Sequence, residues 1–108
     1  MRGQREQLGD THPDTLSSMN NLAILLVKQG RLAEAVPLLE EALRGEREKL
    51  GDSHPFTGNS AYNLAGLLKH KGELSRAREL YSLAAAAYAS AYGEDHADTV
   101  DARARACR

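Results

Sequence analysis

The sequence predicts an all-α solenoid of antiparallel helix pairs: about two full repeats, a short leading helix stub and a trailing cap helix. One phrase recurs at a fixed offset of 42 residues, as Leu8-Gly-Asp-Thr-His-Pro-Asp-Thr15, Leu50-Gly-Asp-Ser-His-Pro-Phe-Thr57 and Tyr92-Gly-Glu-Asp-His-Ala-Asp-Thr99. Self-similarity at such a period marks units that bury their apolar faces only by stacking on one another. Between the copies, apolar residues return at spacings of three and four, the signature of a buried helical stripe.

The first helix carries its stripe on Leu16, Met19, Leu22, Ala23 and Leu26. Gln29-Gly30-Arg31 then ends it, since Gly30 can adopt the left-handed conformation that closes a helix. The second helix follows on Leu32, Ala35, Val36, Leu39, Ala42 and Leu43, with Pro37 in its second turn predicting a local kink. The next pair repeats the pattern as Ala61, Leu64, Ala65 and Leu68, a turn at Gly72, then Leu74, Ala77, Tyr81 and Ala84. Pro13 and Pro55 suit the first helical position, and Asp14 sets negative charge at the positive end of the helix dipole. The recurring phrase thus reads as a helix-start signal.

Residues 1–7 align with the tail of a preceding repeat, residues 8–49 and 50–91 form the two repeats, and residues 92–108 open a third. A start inside a helix favours an excised piece over a natural beginning. In the last helix Arg103 stands where Met19 and Ala61 stand, the polar turn expected of a solvent-facing cap.

Composition bounds the function. With 14 Lys and Arg against 15 Asp and Glu, the chain gives no electrostatic reason to expect nucleic acid or an anionic membrane. The apolar run Leu22 to Val27 is far short of the roughly 20 residues of a membrane span. A cytoplasmic protein is therefore expected.

Met19-x-x-Leu22-Ala23-x-x-Leu26, Gly30, Ala35-x-x-x-Leu39 and Ala42, repeated in register, resemble the tetratricopeptide pattern. The Leu-Gly-Asp-x-His-Pro-x-Thr phrase, Asn20-Asn21-Leu22-Ala23 and Gln29-Gly30-Arg31 resemble its kinesin-light-chain type. The resemblance implies that first helices line a concave groove, floored by Ser17, Asn20, Asn21, Ile24, Val27 and Lys28, then by Asn59, Tyr62, Asn63, Gly66, Lys69 and His70. Asp101, Ala104, Arg105 and Arg108 would extend it. Four cations then face one anion, which points to an extended acidic peptide as ligand. The resemblance also implies that Asn21 and Asn63 bind ligand main chain; the alternative is that such asparagines bridge adjacent helices. A carboxylate clamp for chaperone tails is disfavoured, because Asn20, Ile24 and Asp101 stand where Lys, Asn and Lys are required.

The peptide-binding candidates are therefore Asn20, Asn21, Ile24, Lys28, Tyr62, Asn63, Lys69, His70 and Arg105. His12, His54 and His96 sit at equivalent positions too far apart in a solenoid to share a metal ion, so a helix-start role is expected. Cys107 takes a small-residue position. No catalytic constellation and no cofactor motif appears, so a non-catalytic protein-interaction scaffold is expected. The alternative is a structural element whose incomplete ends self-associate.

Overall fold

The computed structural model describes residues 13–107, with the side chains of residues 13–15 and 17 left aside. Residues 1–12 and Arg108, and with them the leading stub, His12 and the first copy's glycine, lie outside the described residues.

Among the described residues there are five helices: α1 (Pro13–Lys28), α2 (Leu32–Lys49), α3 (Pro55–His70), α4 (Leu74–Tyr92) and α5 (Ala97–Ala106). Each packs on the next, so the chain forms two helical hairpins followed by a single helix. The stripes read from the sequence form the core: Ala23, Leu39, Leu64, Ala65, Leu68, Tyr81 and Ala84 are all buried, and Ala102 carries the core into α5. Alanines at many contact points let helices approach closely while leucines interdigitate.

Glycine sets the turns. Gly30, Gly51, Gly72 and Gly93, evenly spaced along the chain, all have positive φ, from 78° to 100°. Within each hairpin the glycine begins a closing turn in which Arg31 N–H bonds Leu26 C=O and Glu73 N–H bonds Leu68 C=O, both at 2.8 Å. Gly51 and Gly93 turn the chain between hairpins in a different way: their carbonyls accept from His54 and His96 N–H, both at 3.4 Å.

The recurring phrase is an interlock built from three residues. His54 Nδ1 accepts from Phe56 N–H at 3.0 Å and His96 Nδ1 accepts from Asp98 N–H at 3.1 Å, each satisfying a free donor at a helix start. Both rings must therefore carry their proton on Nε2. Thr57 and Thr99, fully buried, donate to the carbonyls of Gly51 and Gly93 at 2.8 and 2.9 Å. These bonds tie each helix start to the turn before it.

Large and small residues exchange places between repeats. Leu16 fills the space over Gly45, where an added Cβ would lie 2.7 Å from the leucine; one repeat later Gly58 lies beneath Tyr88 and Ala87. α2 runs from Leu32 to Lys49 through Pro37, whose side chain faces out. Leu74 departs from expectation and is half exposed. Its counterpart Leu32 has Ile24 and Val27 as neighbours across a shared cavity, whereas Gly66 and Lys69 occupy those places in the second repeat.

Candidate functional site

α1 and α3, the first helices of the two hairpins, make little contact with each other, and α2 packs against both. The gap opens into a cavity of about 560 Å³. Ile24, Val27, Gly30, Leu32, Leu39, Tyr62, Asn63, Gly66, Leu67 and His70 line it, so its wall is mostly apolar. Gly66 has much to do with its size. It stands one repeat after Ile24, its backbone is helical, and a Cβ added there would meet only the Tyr81 hydroxyl at 3.7 Å, an ordinary contact. Neither conformation nor packing requires glycine, although glycine inside a helix costs about 1 kcal/mol relative to alanine. The missing side chain leaves the cavity open.

A polar bridge bounds the cavity on one side. Asn63 Nδ2 donates to Asn20 Oδ1 at 3.4 Å across the gap, and beyond it lies a cleft of about 240 Å³ lined by Asn20, Asn21, Glu46, Phe56 and Asn59. Glu46 is 2% exposed; its Oε1 accepts a hydrogen bond from the Ser60 hydroxyl, and no cation pairs with it among the described residues. Burial pushes its carboxyl up to about 7, against a smaller downward pull from Ser60. The Tyr88 hydroxyl fixes Asn59 by donating to its Oδ1 at 2.6 Å.

At the next junction the equivalent bridge joins Tyr62 to the α5 residues. The Tyr62 hydroxyl donates to Asp101, the Arg105 guanidinium bonds Asp101 at 3.1 and 3.2 Å, and its carbon lies 5.7 Å from the Tyr62 ring centre and 6.0 Å from that of Tyr81. Burial, then the Asp101 contact, pushes the Tyr62 hydroxyl up to about 12.

The sequence-derived candidates thus separate into groups. Ile24, Tyr62, Asn63 and His70 meet around the cavity, while Asn20 and Asn21 line the adjoining cleft. Lys28 and Lys69 project from the last turns of α1 and α3, exposed and without an ion pair among the described residues. Arg105 differs from both lysines, because its charge is offset by Asp101 and its plane is held on tyrosine. The excess of four cations over one anion therefore shrinks; Arg108, like the Ser17 side chain, lies outside the described set.

Glu46 escaped the sequence reading. Its signal was present, since it continues the stripe of Leu39, Ala42 and Leu43 at helical spacing, a polar residue on a buried face. His54 and His96 use Nδ1 on separate helix caps, and no cluster of three potential metal ligands occurs among the described residues.

Comparison with known families gives a match over residues 15–56 and 57–98 to the tetratricopeptide repeat, two consecutive units of 42 residues. The chain belongs to the tetratricopeptide repeat family. A crystal structure of kinesin light chain nearly identical TPR-like repeats from Podosopora anserina superimposes with a TM-score of 0.84 at 29% identity. The match covers 95% of this chain and 50% of that one, so the chain spans about half the length of this neighbour. A search of curated proteins gave no match. The tetratricopeptide repeats here are of the kinesin-light-chain type, and repeats of this family generally mediate protein–protein interaction as non-catalytic scaffolds. No helix among the described residues is long and apolar enough to cross a membrane.

Proposed function

We propose that this tetratricopeptide chain binds an extended peptide in the groove between α1 and α3, with an apolar side chain of the ligand seated in the cavity beside Gly66. The observation that carries this reading is an open, apolar, 560 Å³ space kept clear by a glycine that the fold does not need. Apolar pockets with a few convergent polar groups are the usual form of a recognition site. Asn63 and His70 supply the polar groups.

An acidic flank on the peptide is part of the proposal. Lys28 and Lys69 stand beyond the cavity on the last turns of α1 and α3, while the neighbouring Arg31 and Lys71 are paired with Glu34 and Glu73 at 2.6 and 3.8 Å. Two uncommitted ammonium groups favour a carboxylate arriving there, although they also offset the negative ends of the two helices. The same reading makes the chain a cytoplasmic scaffold, in keeping with its likeness to kinesin-light-chain-type repeats.

Selection of displayed random peptides on the immobilised chain tests this. Recovered sequences should share one large apolar residue flanked by Asp or Glu, and should lose binding to the Gly66→Leu variant. Peptides with no common apolar position, or binding indifferent to Gly66→Leu, would overturn the proposal.

A second reading is self-association through α5. Val100 is 54% exposed there, whereas Leu16, at the same repeat position in α1, is fully buried. Light scattering at high micromolar concentration separates the two: a monomer contradicts self-association.

A further inference from the structure

The cleft beyond the Asn20–Asn63 bridge has chemistry opposite to that of the lysine-flanked cavity. Glu46 closes it, nine-tenths or more buried, with Oε2 accepting no hydrogen bond among the described residues. Asn21 offers an uncommitted side-chain amide at its wall, and Phe56, 45% exposed, presents an aromatic ring. A buried acid without a counter-charge is unfavourable unless something supplies one. A planar guanidinium satisfies all three groups: it donates to a carboxylate, bonds an amide oxygen and stacks on an aromatic face.

The arrangement recurs. One repeat later, positions 62, 88, 98 and 101 line a cleft of about 180 Å³, and they are the equivalents of positions 20, 46, 56 and 59. Glu46 and Phe56 correspond there to Tyr88 and Asp98, so acid and aromatic have exchanged places while the pair is kept. A structural residue that merely plugs the junction would need neither partner.

We propose that the Glu46 cleft is a subsite for an arginine side chain, with Glu46 as counter-charge, Asn21 as hydrogen-bond acceptor and Phe56 as stacking surface. As a description of the bound peptide it rests on the groove reading, and it adds a basic residue to the ligand on the far side of the Asn20–Asn63 bridge from the apolar anchor. Among the described residues, the groups facing the cleft apart from Glu46 are uncharged: Asn20 and Asn21 from α1, Phe56, Asn59 and Ser60 from α3. His54, whose ring lies 4.7 Å from that of Phe56, carries the nearby helix cap.

The test uses N-acetyl-arginine amide, with N-acetyl-citrulline amide as the uncharged isostere, titrated into the isotopically labelled chain and followed by NMR. Arginine should shift the side-chain amides of Asn20, Asn21 and Asn59, and citrulline should not. With the Glu46 carboxyl titrating at about 7, affinity should rise about tenfold between pH 6 and pH 8. Glu46→Gln should abolish both the response and its pH dependence, and Phe56→Ala, at an exposed position, should weaken it roughly two- to fivefold. An equal response to citrulline, or an unchanged response in Glu46→Gln, would overturn the proposal. Gly66→Leu should leave the arginine response intact, so failure of the apolar groove and failure of this subsite are read separately.

Discussion

Asn63 donates to Asn20 across the gap between α1 and α3, and this 3.4 Å contact divides the open face into an apolar cavity and an acid-floored cleft. The bridge is the outcome that competed with ligand binding for Asn63. It leaves the Asn21 amide, one residue along, exposed and without a hydrogen bond among the described residues. Main-chain recognition by Asn63 would therefore require exchanging Asn20 for a ligand group, a modest cost at that length.

Gly66→Ala should raise stability by about 0.5–1 kcal/mol, because a helical glycine is replaced where a methyl fits. Urea denaturation followed by circular dichroism measures it. A loss of stability would mean that Gly66 is required by the fold rather than by the groove.

Removal of the interlock should cost more than its exposure suggests. His54→Ala deletes a helix cap and should destabilise by about 1 kcal/mol, whereas His54→Asn should recover most of that. Thr57→Ala, at a fully buried site, leaves the Gly51 carbonyl with only the longer bond from His54 N–H at 3.4 Å and should cost about 1 kcal/mol. Equal stability of wild type and His54→Ala would contradict the capping role.

Glu46 makes the free protein pH-sensitive. Its carboxyl titrates near 7 when folded against an ordinary 4.5, so the folded state holds the proton more tightly. Its contribution is therefore fully present below pH 4.5 and is lost as pH rises through 7. Glu46→Gln should be more stable than wild type at pH 8, by about 1–3 kcal/mol, and nearly equal at pH 4.5. Denaturation midpoints at the two pH values decide it.

Lys28→Glu and Lys69→Glu should weaken an acidic ligand, and high salt should reduce the difference. Arg105→Ala should instead act on the packing of α5 against Tyr62 and Tyr81, lowering thermal stability with little effect on the ligand. The opposite pattern would return Arg105 to the groove.

Much of this molecule was legible in its residues, for a physical reason. A period of 42 forces equivalent positions into equivalent environments, so the stripes, the turns at Gly30 and Gly72 and the helix-start role of the histidines followed from one comparison. What stayed hidden depends on contacts between helices distant in sequence. Glu46 continues the stripe of Leu39, Ala42 and Leu43 yet reads as one charge in the polar tail Arg44-Gly-Glu-Arg-Glu-Lys, and which of the two readings holds is decided by α3, whose Ser60 packs and bonds on it. Leu74 looked apolar enough for the core, but its counterparts across the helix had become Gly66 and Lys69. The pairing of Arg105 with Asp101, four residues apart on one helix, was within reach of the sequence and alters the charge of the groove.

The most direct measurement is fluorescence anisotropy of a labelled peptide, taken from the selection described above, against wild type and Gly66→Leu. Filling the cavity should weaken binding at least tenfold while the chain remains folded by circular dichroism. Unchanged affinity in a folded Gly66→Leu chain would contradict the claim that the space between α1 and α3 is the binding site.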